Sequence, residues 1–278
     1  MLSMSPVELS VITPVLNGAR FMALCVENVL AQNCPSCEHL IIDGGSSDET
    51  LSILQGYSRS HQTIRWVSKP GANQTDAMNI GLDLSHGSIV SVLNVDDFYA
   101  DRVLNEVLRL FLDLPCPTLL VGNCGAWSDG VREYINRPCD LRFSKLLLGP
   151  EFVEFPYNPS AYFYHKKLHD IIGPYHSEDD YTMDVDFLFQ AVQVANLVYV
   201  DKVLGNFRLH SESKTVRDKA SGGQPLRLAA VLRRYRKQLP LWRRFLFHVE
   251  LGARRAVRSR GWIRERLIAL WSRQPIRR

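Results

Sequence analysis

Two adjacent carboxylates, Asp96 and Asp97, close an apolar run at residues 88–94. Uncompensated charges are not tolerated in a core, so the pair belongs at an open strand end. There it suits Mg²⁺ or Mn²⁺, hard cations that keep several waters and take one or two carboxylates plus diphosphate oxygens. The plainer alternative is a helix start, with Asp97 or Asp101 capping residues 102–112. Asp43 also ends an apolar stretch and precedes Gly44-Gly45, glycines that let backbone amides approach a ligand closely. Its carboxylate either accepts an imide N–H, as of a uracil or guanine ring, or closes an Asx turn. Residues 178–186 hold five carboxylates in nine positions, among them Asp184 and Asp186. That density suits proton abstraction from a hydroxyl, or a solvated helix start favoured by the helix dipole. His210 follows the last apolar stretch and is either an exposed loop residue or a contact to metal or diphosphate.

The elements that position these residues alternate. Short β-branched runs at 8–14, 38–43, 64–68 and 88–94 read as buried strands, and residues 21–32, a segment ending near Tyr57, and 74–84 read as helices. Such alternation predicts an α/β fold with a mostly parallel central sheet covered on both faces. Ligands on these sheets bind beyond the carboxyl ends of the strands. Asn17, residues 43–47, residues 69–73 and Asp96-Asp97 should therefore line one crevice. The second half is less regular, with strands expected within 115–122, at 161–165 and at 197–203, and helices at 141–148 and 184–194.

With 278 residues, 46% of them hydrophobic, the chain has the composition of a globular protein. No stretch has the roughly 18 uncharged residues of a spanning helix, and no signal peptide is visible. The six cysteines include the pair Cys34 and Cys37, but no second ligand pair for zinc follows. Reduced thiols in a cytoplasmic protein are expected. Charge is divided unevenly. Residues 226–278 carry 16 Lys and Arg against 2 Asp and Glu, whereas residues 1–225 carry 17 against 27. Stripes at helical spacing run through this basic segment: Leu228, Val231, Tyr235 and Leu239; Leu241, Phe245, Leu246 and Val249; Ile263, Leu267, Leu270 and Trp271. Pro240 and Gly261 are expected to break it into segments. Arginine-rich amphipathic helices suit an anionic membrane surface. The alternatives are packing on the main domain and, less fittingly, nucleic acid, which is not expected as a partner.

Five motifs together carry a family resemblance. Val11-Ile-Thr-Pro-Val-Leu-Asn17, Ile41-Ile-Asp-Gly-Gly-Ser-Ser-Asp48, Asp76-Ala-Met-Asn-Ile-Gly81, Leu93-Asn-Val-Asp-Asp97, and Gly173-Pro-Tyr-His-Ser-Glu-Asp with Met183-Asp-Val-Asp-Phe-Leu188 stand in the order seen in inverting family 2 glycosyltransferases. The set resembles most the subgroup that builds bacterial O-antigens and related surface polysaccharides. It covers about residues 8 to 215 and implies the GT-A fold, divided at about residue 115 into a nucleotide-binding half and an acceptor half. Residues 221–278 would then form a separate basic helical tail.

Carried over residue by residue, the resemblance implies that Thr13, Pro14, Asn17, Asp43, Gly44, Asp76 and Asp96 bind the nucleotide sugar. Asp97 and Asp96, with His210, would hold Mg²⁺ or Mn²⁺. Asp184 would be the general base, supported by Asp186. In an inverting transfer an acceptor hydroxyl attacks the anomeric carbon, and a carboxylate in reach takes its proton, worth roughly 10²- to 10⁴-fold. Met78, Asn158 and Val185 depart from residues common in the family, respectively an arginine, a histidine and an aromatic. The expected partners are a nucleotide-diphosphate sugar, a lipid-linked saccharide acceptor and, through residues 226–278, the cytosolic face of the plasma (inner) membrane. The alternative is a non-catalytic GT-A-like scaffold that binds nucleotide sugar.

Overall fold

The structure is a computed structural model that describes residues 7–176, 180–220 and 222–271. Its first half is built of β1 (Leu9–Val15), α1 (Ala19–Ala31), β2 (Cys37–Asp43), α2 (Thr50–Ser60), β3 (Ile64–Ser68), α3 (Gln74–Leu84) and β4 (Ile89–Val92). Every residue of β1, β2 and β4 is buried, as strands covered on both faces require. Alternate residues of β1 feed two cores. Leu9, Val11 and Val15 join Met22, Val26 and Leu104 on one face, and Ile12 joins Met78, Leu82 and Val92 on the other. Helix α3 lies close to the sheet because Gly81 has no side chain, and a Cβ there would meet Ile12 Cγ2 at 2.4 Å.

Next come β5 (Phe98–Tyr99), α4 (Val103–Phe111), β6 (Thr118–Ser128), β7 (Val131–Asn136), α5 (Phe143–Leu146), β8 (Tyr162–His165), α6 (Leu168–Ile172), α7 (Met183–Ala191) and β9 (Asn196–Leu209). Among the described residues the sheet order is β3-β2-β1-β4-β8-β6-β9-β5, with β7 paired to β6. The pairs β3-β2, β2-β1, β1-β4 and β6-β9 are parallel. Strand β8 enters antiparallel between β4 and β6, so the sheet is parallel in its first half and mixed beyond. The two-residue β5 pairs antiparallel with the end of β9, Phe98 opposite Asn206. This pairing brings residues 208–210 beside the acidic turn.

Three helices close the chain: α8 (Lys214–Ala220), α9 (Gly223–Gln238) and α10 (Leu241–Trp271). The basic segment packs on the preceding residues through α9 and the first part of α10. Val231, Leu232 and Tyr235 of α9, with Phe247 and Leu251 of α10, are buried in the same core as Phe187, Leu188 and Phe189. The first apolar stripe is thus a packing surface, because the domain leaves an apolar face between α5 and α7 that α9 covers. Tyr235 stacks on Phe189 with centroids 4.7 Å apart and meets the edge of Phe143. Pro240 separates α9 from α10, but α10 continues through Gly261, where a break was expected. Residues 177–179 of the acidic run, and the side chains of the third stripe, lie outside the described residues.

Leu232→Ala should therefore destabilise the protein by about 2–5 kcal/mol, read as a lowered urea midpoint. Removal of residues 226–278 should expose this core and give aggregating protein rather than a soluble domain.

Candidate active site

A crevice of about 2100 Å³ opens beyond the carboxyl ends of β1, β2 and β4 and runs on towards α9. This exceeds the roughly 300–1,000 Å³ of a single small-molecule site, leaving room for two substrates. Pro14, Asn17, Gly44 and Asp96 line it, as do Asp184 and His210. Asn17 adopts a left-handed φ of 53°, a conformation asparagine tolerates better than most residues. Its amide donates to Ser46 Oγ at 2.7 Å, and its Oδ1 accepts from the Ser47 amide at 2.8 Å. Asp48 completes the stitch between the two loops by accepting from the Ala19 amide at 3.0 Å. At Gly44 a Cβ would meet the Ala72 carbonyl oxygen at 2.8 Å, so only glycine fits this wall.

Three residues expected to contact the nucleotide are not among those lining the crevice. Thr13 is fully buried, its hydroxyl 2.8 Å from His39 Nε2, because it alternates with the crevice-lining Pro14. Asp43 is also fully buried. Its carboxylate accepts from the Gly45 and Ser46 amides and from Ser68 Oγ at 2.6 Å. Burial raises its pKa, but the bonds from Ser46, Ser68 and Gly45 outweigh this and hold it below the usual range. The bonds from Gly45 and Ser46 are those of an Asx turn. Asp76 is the third residue of α3 and forms a capping box with Asn73, whose side chain accepts from the Asp76 amide at 2.8 Å.

The acidic pair splits. Asp97 is 2% exposed; its carboxylate accepts from Asn94 Nδ2 and Asn158 Nδ2, both at 2.9 Å, and from the Arg208 amide at 3.2 Å. Burial, then repulsion from Asp96, pushes its carboxyl up to about 8 against these bonds. An expected first-rank metal ligand is thus turned inward with its oxygens engaged. Asp96 faces the crevice, and its Oδ2 lies 2.8 Å from His210 Nε2. The other ring nitrogen of His210, Nδ1, is buried without a hydrogen-bond partner, and the ring packs on Phe21 at 4.7 Å. Arg208 Nε donates to the Asp96 carbonyl at 3.1 Å. Asp96 offers a carboxylate of the kind that Mg²⁺ or Mn²⁺ takes, with the His210 imidazole beside it. No cluster of three or more His, Cys, Asp or Glu groups is present among the described residues, so other ligands would come from substrate and water.

Asp184 and Asp186 also part company. Asp184 lines the crevice. Burial pushes its carboxyl up to about 6, opposed by the Val185 and Asp184 amides and by Lys214. Asp186 points away, onto Tyr235 Oη at 2.7 Å and Arg234, so the supporting role expected for it is not one of direct contact in the crevice. Asn94 was not among the residues singled out in the sequence. Asn158, noted there only as a departure, is one of the donors that hold Asp97. Lys214 Nζ donates to Gln74 Oε1 and to the Asp180 carbonyl, both at 3.2 Å, bridging two walls of the crevice.

Residues 10–170 match the family model described as Glycosyl transferase family 2. The chain is 23% identical over 213 residues to chondroitin synthase of Escherichia coli, covering 75% of this chain and 30% of that protein. It is 22% identical to the uncharacterized glycosyltransferase YibD of E. coli K12, over 74% of this chain and 62% of the other. It is 28% identical to a PGL/p-HBAD biosynthesis glycosyltransferase of Mycobacterium bovis, over 76% and 80%. The chain thus spans less than two thirds of two of these three relatives. Among solved structures it is similar to S. aureus TarS in complex with UDP, with TM-score 0.59, 17% identity, and 73% and 60% of the two chains covered. It is also similar to a Pyrobaculum calidifontis mannosyltransferase in complex with GDP-Man and Mn²⁺, with TM-score 0.54, 19% identity, and 97% and 89% covered. The fold is the GT-A fold of these neighbours, and with more than half its length matched, the chain belongs to glycosyl transferase family 2.

Proposed function

We propose that the protein transfers a sugar, with inversion, from a nucleotide-diphosphate sugar to a lipid-linked saccharide in surface polysaccharide biosynthesis. The observation that carries this reading is one crevice lined by Asp96 and His210 and also by Asp184. Pro14, Asn17 and Gly44 form the nucleotide wall. Asp96 and His210 are the residues that would hold the divalent ion, and Asp97 fixes Asp96 from behind. When bound, the ion supplies charge stabilisation to the departing diphosphate. Asp184 takes the proton of the attacking acceptor hydroxyl, and its raised pKa places it near the operating range of a general base. That solved neighbours bind UDP-GlcNAc or GDP-Man supports the donor class.

The reading extends to the membrane, with one change of surface. Leu241, Trp242, Phe245, Leu246 and Val249 of α10 are each 55–79% exposed and recur at helical spacing. Phe247 and Leu251 on the opposite side are buried. Among the described residues no helix is long and apolar enough to cross a membrane. An outward apolar stripe on an arginine-rich helix fits the interface of an anionic leaflet, the cytosolic face of the inner membrane in this reading, and α9 then serves packing alone.

A thermal-shift panel of nucleotide sugars with Mn²⁺ tests the donor class: one donor should stabilise the protein selectively, and Asp96→Ala should abolish that metal-dependent shift. No stabilisation by any donor would contradict the proposal. Asp184→Asn should keep donor binding and lose transfer by roughly 10²- to 10⁴-fold. Because the base must be ionised, the wild-type rate should fall as pH drops through about 6. The stability effect has the opposite sense. A folded-state pKa raised above the unfolded value makes stability fall as pH rises from about 4 to 6, so Asp184→Asn should be more stable than wild type at pH 7 and equal to it at pH 4. Trp242→Ser with Phe245→Ser should release the protein from phosphatidylglycerol vesicles in sedimentation; unchanged binding would remove the α10 stripe as the contact.

A further inference from the structure

We infer that Arg234 and Tyr235 of α9 are positioning residues for the catalytic base, so that the C-terminal helices belong to the active site's framework. The inference rests on the reading of Asp184 as the base. Asp184 and Asp186 stand two apart in the first turn of α7. At 100° per residue they project about 200° apart, one to the crevice and the other to α9. Asp186 is 6% exposed. Its Oδ1 accepts from Tyr235 Oη at 2.7 Å and from Arg234 Nη2, and its Oδ2 accepts from Gln190 Nε2 at 3.1 Å.

The start of α7 is held in part by its apolar side, where Met183 and Phe187 are buried and Phe187 packs on Tyr164, His169 and Tyr175. The helix N-cap, Thr182, makes no side-chain capping bond. On the crevice side Thr75 Oγ1 donates to Asp180 at 2.6 Å and lies 3.1 Å from Met183 Sδ, which fixes the entry to the helix. The Asp186 clamp adds a polar hold on the rotation at the face towards α9, and the Phe189–Tyr235 stack one turn later keeps the two helices in register. A buried carboxylate that loses its partners is strongly disfavoured, so without the clamp Asp186 would turn towards water. The same rotation of α7 would swing Asp184 out of line with the acceptor. Neighbouring residues supply a second hold: Arg236 donates from Nε and Nη2 to the Leu147 carbonyl at 3.0 and 2.6 Å, tying α9 to the end of α5.

The test uses full-length Arg234→Gln, Arg234→Lys, Tyr235→Phe and Asp184→Asn. It follows nucleoside diphosphate release from UDP-GlcNAc and GDP-mannose with water as acceptor, across pH 5 to 8, with donor affinity by calorimetry. Arg234→Gln and Tyr235→Phe should each lower kcat by about tenfold or more and shift the acidic limb, with donor affinity within about twofold, since sub-ångström to ångström misplacement costs up to about 10²-fold. Arg234→Lys, which keeps the charge, should recover part of the loss. Wild-type kcat and pH profile in both Arg234→Gln and Tyr235→Phe, beside an inactive Asp184→Asn, would overturn the positioning role and leave the base in place. Loss of kcat in step with donor affinity and thermal stability would also overturn it, by showing a merely structural clamp. An active Asp184→Asn would overturn the base assignment and the positioning role together.

Discussion

The site depends on a buried carboxylate. Asp97 gathers an asparagine from its own turn, a second from the segment before β8, and a backbone amide from the end of β9. A charge without water must be hydrogen-bonded or neutralised, so these three pieces of chain are held in one arrangement. The pairing of β5 with β9 follows the same geometry. Asp96 stands in the turn just before Asp97 and lines the crevice. His210, two residues beyond Arg208, then arrives beside Asp96. The turn after β4, the segment before β8 and the end of β9 thus meet on one side chain, that of Asp97.

A second carboxylate plays the same part in the other wall. Asp186 is held by Arg234 and Tyr235 and leaves Asp184 to the crevice. In both pairs one aspartate is engaged by protein donors and its neighbour lines the crevice. Division of labour between close carboxylates through their surroundings is how a fold sets acid and base roles. It also explains why a basic C-terminal segment is built into the core. The arginines of α9 answer to Asp186 and to the carbonyls at the end of α5, and the surplus basic and apolar surface is left to α10.

Much of this was legible in the residues alone. The continuous apolar runs of β1, β2 and β4 announce strands covered on both faces, and the order of their acidic and glycine-rich ends predicts a crevice. Side-chain direction was not legible. Thr13 beside Pro14, Asp43 beside Gly44, and Asp97 beside Asp96 each differ by a single step, and one step along a strand reverses the face. Short or exposed strands such as β5 and β7 carry no apolar period to read. In the basic segment, Leu228, Val231 and Tyr235 have the spacing of a membrane-facing stripe and of a packing stripe alike. Only tertiary partners, Phe189 and Asp186 among them, decide between the two.

The division between Asp96 with His210 and the buried Asp97 is the central claim, and the nitrogen ligand makes it directly visible. Electron spin echo spectroscopy of Mn²⁺ bound to the full-length protein with UDP or GDP would show coupling to a coordinated imidazole nitrogen. The account predicts that coupling in the wild type, its loss in His210→Gln, and its persistence in Asp97→Asn. Mn²⁺ bound in the wild type without nitrogen coupling, or a coupling untouched by His210→Gln, would contradict it.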